Sequence, residues 1–179
     1  LEAFAVSPDG LRLLTRGDEG TLEILDCHDG RALATCTNAG SVTTIAFSPD
    51  GRRIVSANWE RTASIWDVES GRELATLVGH KLSIIVLKFS RGGKWLATAG
   101  HGNIIKVWDA ISGRDVATLQ DHTGDVVQLT FSPDGGRVLT FSRTPDWSSL
   151  SDARIWDAAT GKELAVLEGH HLPIASAAF

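Results

Sequence analysis

An all-β chain made of repeated four-stranded units is predicted by two repeating markers and the texture between them. The 15-residue lines "ASIWDVESGRELATL" (63–77) and "IKVWDAISGRDVATL" (105–119) lie 42 residues apart and agree at eight positions. The line returns as "LEILDCHDGRALATC" (22–36) and "ARIWDAATGKELAVL" (153–167), so Leu25, Trp66, Trp108 and Trp156 step by 41, 42 and 48 residues. A second marker, "VSPDG" at 6, "FSPDG" at 47, "FSRGG" at 89 and "FSPDG" at 131, steps by 41, 42 and 42. Two markers sharing one period are a stronger signal than any single motif. A period near 40 with four short strands per period is the signature of a β-propeller blade.

Each unit reads in the same order. A first strand such as "TTIAFS" alternates apolar and polar residues and ends at the SPDG stretch. There Pro fixes φ and Gly supplies a positive φ, which a tight turn requires. A second strand ("RIVSA") and a third ("ASIWD") follow across a short loop. "DVESG", "DAISG" and "DAATG" then open with an Asp able to bond its own turn backbone and close with Gly. A fourth strand ("RELATL") completes the unit, and no stretch of helical length shows a 3.6-residue apolar face.

The predicted units run 1–37, 38–79, 80–121 and 122–169, with 170–179 as the first strand of a fifth. A lone first strand leaves an open edge, and end blades expose faces meant for neighbours. The expected arrangement is therefore an open arc or part of a larger ring, with a homodimer completing an eight-bladed ring as the second arrangement. The sequence has no Met, which leads to the expectation of an excerpt from a longer protein.

Composition narrows the function classes. Hydrophobic residues make up 42% and charged residues 22%, an ordinary globular balance. The net charge is −5 and the 17 basic residues are scattered, which argues against a nucleic-acid or anionic-membrane surface. The longest apolar run, 82–87, contains Ser83 and is far too short to span a bilayer. Cys27 and Cys36 form no disulfide or zinc pattern, and a reducing cytoplasmic location is expected.

The "IWD" and "VWD" strand ends, the "GH" and "DH" pairs before first strands, the "FSPDG" turns and the Ser/Thr-Gly turns together resemble the WD-repeat β-propeller family, over essentially the whole chain. The resemblance implies a polar group inside each blade, linking a loop His, a second-strand Ser or Thr, the third-strand Trp and a loop Asp. An indole N–H is a donor only, and a hydroxyl can accept it while bonding onward to imidazole. By position this gives His80, Thr98 and Trp108 in the third unit and His122, Thr140 and Trp156 in the fourth. Ser56 and Trp66 stand in the second unit, where Asn38 replaces His, while the first has Thr15 but Leu25 in place of Trp. The acidic position holds Glu19, Glu60 and Gly102, and in the fourth unit the insertion displaces it, leaving Asp152 as the nearest carboxylate. On this reading no unit carries the full polar set.

Hydroxyl, His and carboxylate together raise the question of hydrolysis. A catalytic site is built once, whereas these residues return at every period, so the expected role is structural. No GxSxG, HExxH or phosphate-binding Gly-rich loop occurs, and "GHGNII" (100–105) fails the dinucleotide pattern. His170 belongs to the repeat, and His171 alone makes no metal site. No cofactor is expected.

Residues outside the repeat carry the functional reading. Trp59, His101, Arg143 and Trp147 fall in loops between second and third strands, the last two in the expanded "SRTPDWSSLS" (142–151). Trp and Arg dominate interface energetics, and function concentrates on loops held by a rigid scaffold. These four residues form the candidate partner surface, with local packing of Trp59 and Trp147 as the competing reading; Trp95 is read as a filler on the blade surface. The expected function is a noncatalytic protein-interaction scaffold, binding other proteins or other domains of the same parent chain. The near-consensus repeats also resemble those of bacterial multidomain signalling proteins. The alternative is a propeller enzyme or small-ligand binder with a central site, for which Ala46, Val86 and Gln128 offer little polarity.

Overall fold

Among the described residues, sixteen strands follow one another in the order the repeats prescribe. The computed structural model describes residues 4–37, 39–120, 122–143, 152–167 and 179. The first sheet consists of β1 (Phe4–Val6), β2 (Arg12–Arg16), β3 (Leu22–Asp26) and β4 (Ala32–Cys36). The second holds β5 (Val42–Phe47), β6 (Arg53–Asn58), β7 (Thr62–Asp67) and β8 (Glu73–Val78). The third holds β9 (Ile84–Phe89), β10 (Trp95–Gly100), β11 (Ile104–Asp109) and β12 (Asp115–Gln120). The fourth holds β13 (Asp125–Phe131), β14 (Arg137–Arg143), β15 (Ala153–Asp157) and β16 (Glu163–Leu167). Every sheet is an antiparallel meander, so the all-β reading with four-stranded blades holds. The predicted fifth-unit strand lies almost wholly outside the described residues.

Two turn designs recur at one end of each sheet. In the SPDG turns the Ser132 hydroxyl donates to Asp134 at 2.6 Å and accepts the Arg137 amide at 2.9 Å. Ser48 does the same with Asp50 and Arg53. Gly51 and Gly135 sit at φ 67° and 73°, the left-handed region where a Cβ is costly. In the turn after the third strand, Asp67 accepts the Ser70 amide at 2.8 Å and its hydroxyl at 2.6 Å. Those bonds, the hydroxyl first, hold the Asp67 carboxyl below the usual carboxylate range.

The chain divides into two compact units, Leu1–Ile84 and Ile85–Phe179, and each packs by the same scheme. In the first, Leu14, Leu22 and Ile24 of one sheet meet Ile45, Ile54 and Trp66 of the next. In the second, Ala97, Ala99, Ile105 and Val107 meet Leu129, Phe131, Val138 and Trp156. Trp95, expected as a surface filler, is half-buried against this second core, with the Lys94 ammonium 4.2 Å from its ring centroid. An indole covers apolar surface wherever a neighbour offers it.

One feature has no signal in the repeat markers. In every sheet the pairing of third and fourth strands shifts by one residue just before the Trp register, at Leu25, Trp66, Trp108 and Trp156. Ile65 pairs with Ala75 but Trp66 with Glu73, leaving Leu74 as the extra residue of a β-bulge. Leu33, Val116 and Leu164 occupy the same place in the other sheets.

Turn glycines at one repeat position differ sharply in surroundings. Gly71 (φ 66°) has the Thr35 carbonyl oxygen 2.4 Å from where a Cβ would stand, whereas Gly30 (φ 74°) has nothing within 4 Å. Gly71→Ala is expected to lower stability by about 3 kcal/mol or more, combining left-handed strain with a backbone clash. Gly30→Ala should cost only about 1 kcal/mol. Urea denaturation of the two variants measures the contrast, and equal losses would contradict the packing described.

Candidate functional site

A meander places the turns after first and third strands at one end of a sheet. The loops after second and fourth strands lie at the other. The repeated polar residues lie inside the sheets between these ends. In the second sheet the Trp66 indole donates to Ser56 Oγ at 2.9 Å. In the third, Trp108 donates to Thr98 Oγ1 at 2.7 Å, and His80 is half-buried in the loop ahead of β9. The second sheet's Asn38 lies outside the described residues.

The fourth sheet corrects the expectation that no unit carries a full polar set. Trp156 donates to Thr140 Oγ1 at 2.7 Å, Thr140 Oγ1 is 2.6 Å from His122 Nε2, and His122 Nδ1 is 2.7 Å from Asp152 Oδ1. The indole donates to the hydroxyl; in the Nδ1–H tautomer the imidazole donates to the carboxylate and Nε2 accepts from the hydroxyl. The six-residue insertion moves Asp152 away from its register position yet returns it to the imidazole from the start of β15. Ser142 also donates to Asp152, and Arg154 Nε donates to Asp152 Oδ2 at 2.9 Å. The Arg154 guanidinium reaches onward to Glu163. Burial pushes the Asp152 carboxyl up, but the bonds from His122, Ser142 and Arg154 outweigh it and hold the group well below the usual range.

This set resembles a triad in composition only. His122 is 1% exposed and Thr140 0%, so both side chains lie inside the sheet. Among the described residues no group of three His, Cys, Asp or Glu side chains could hold a metal ion. Cys36 is buried, and its thiol is pushed up to about 11 by that burial and then by the Asp67 charge.

The proposed loop residues divide. Trp59 is 59% exposed, so it does not fold back as core packing. Its amide donates to the Ser41 carbonyl at 3.1 Å, and its own carbonyl accepts the Ser83 hydroxyl at 3.4 Å. His101 is exposed but engaged: Nδ1 lies 3.1 Å from Asp125 Oδ2, while the Gly102 amide donates to Asp125 Oδ1 at 2.7 Å. Asp125, on the first strand of the fourth sheet, thus ties the third sheet's loop across to its neighbour, a role sequence reading missed because it spans two repeats. Arg143 closes β14, opposite Asp125 in the ladder. Trp147 lies outside the described residues.

At the opposite end of the first unit a cleft of about 500 Å3 is lined by Arg12, Gly51, Arg52, Asp67 and Glu69. Its groups serve the turns already described, with Asp67 on Ser70 and the Arg12 guanidinium on the Gly51 carbonyl at 3.4 Å.

Arg61 is the residue sequence reading passed over. Its φ of 69° is the one positive value at a non-glycine among the described residues. The first sheet's turn places Gly20 there, at φ 75°. A left-handed non-glycine costs roughly 1–2 kcal/mol, and such strain concentrates at functional sites.

The WD40 family model, described as WD domain, G-beta repeat, matches residues 30–67, 71–109 and 113–157. Each matched segment begins at the fourth strand of one sheet and ends at the third strand of the next. No curated protein matches the chain.

Acid titration and backbone strain each make an outcome measurable. Because the folded Asp152 carboxyl titrates below its unfolded value near 3.9, its contribution is present above about pH 4 and is lost as pH falls further. Thermal melts between pH 6 and pH 2.5 should show a shallower acid loss in Asp152→Asn than in the natural chain, from a lower starting stability. Arg61→Gly should stabilise by about 0.5 kcal/mol, as relief of strain exceeds the added unfolded-chain entropy; urea midpoints read the sign.

Proposed function

The chain belongs to the WD domain, G-beta repeat family, and on that premise we propose that it is a noncatalytic scaffold presenting its second-to-third-strand loops to other proteins. WD repeats generally mediate protein–protein interaction and are typically non-enzymatic. One observation carries the reading for this chain: the reactive-looking groups are sealed inside the sheets, while the non-repeating Trp59 faces solvent. Buried hydroxyl, imidazole and carboxylate groups satisfy one another and hold the blade, whereas an exposed indole on a braced turn is what an interface uses as an anchor.

The partner is another protein or another domain of the same parent chain. Regular, near-consensus repeats support a bacterial multidomain signalling context, and the two free thiols, Cys27 exposed and Cys36 buried, suit a reducing cytoplasm. Arg143 at the end of β14 and Trp147 in the fourth unit's expanded sequence are proposed as further members of this surface.

The test is affinity capture from the source cell. Proteins retained by the natural chain should fall about tenfold or more with the Trp59→Ala, Trp147→Ala double variant, since anchor residues dominate interface energy. Melting temperature is recorded alongside to confirm folding. Undiminished capture by a folded double variant would overturn the assignment.

A further inference from the structure

We draw no further inference here: the strongest candidate, the apolar face of the first sheet around the exposed Phe4 and Val6 of β1, is an unpartnered sheet face, and nothing in the structure shows what covers it.

Discussion

An indole N–H buried inside a sheet has to find an acceptor, and in three of the four sheets the second strand supplies one. The bonds at Ser56, Thr98 and Thr140 are 2.9, 2.7 and 2.7 Å. Each is worth only about 1 kcal/mol net, but leaving the donor unmet costs more, so a shifted register is penalised. With the ring direction set, the Trp and its neighbours present one apolar face, which covers the aliphatic face of the preceding sheet inside each unit. The first sheet lacks the constraint. Leu25 stands at the Trp position, and the Thr15 hydroxyl turns to the Arg16 carbonyl at 3.2 Å. The family match begins only at residue 30, near the end of that sheet.

Interior and loops then carry separate duties. Polar groups that recur are consumed by one another, most completely around Asp152, which gathers an imidazole, a hydroxyl and a guanidinium. Such a network is worth having only when fully satisfied, because the low dielectric that strengthens each bond also makes an unpaired member expensive. Groups that do not recur stay available. The turn around Trp59 combines exposed side chains with a main chain held at three points and one residue in a conformation it would not choose alone.

The markers made strand order, turn types and blade composition legible because each is local: an SPDG turn or a Trp-Asp strand end is fixed by residues within a few positions. The features that were not legible depend on distance or on counting. The bulge leaves no local trace, since Leu74 reads as an ordinary member of an alternating strand. Asp152 was displaced in register by the insertion, so the sequence marked it only as the nearest carboxylate and left the fourth set incomplete. His101 and Asp125 meet across two repeats, so alignment of one repeat with the next could not pair them. Arg61 did have a signal, glycine at the same place in the first turn, but only a measured φ shows that both adopt one conformation.

The extra residue ahead of each Trp register also bears on solubility. The fourth strands β4, β8, β12 and β16 end their sheets with one row of backbone amides and carbonyls unpaired within the sheet, and several carry exposed leucines. An edge of that kind invites a second molecule to add a strand. An interruption at the same point in every repeat bends the strand and breaks the even spacing that such an addition would have to match. The bulge that every fourth strand carries thus spoils the template its free edge presents.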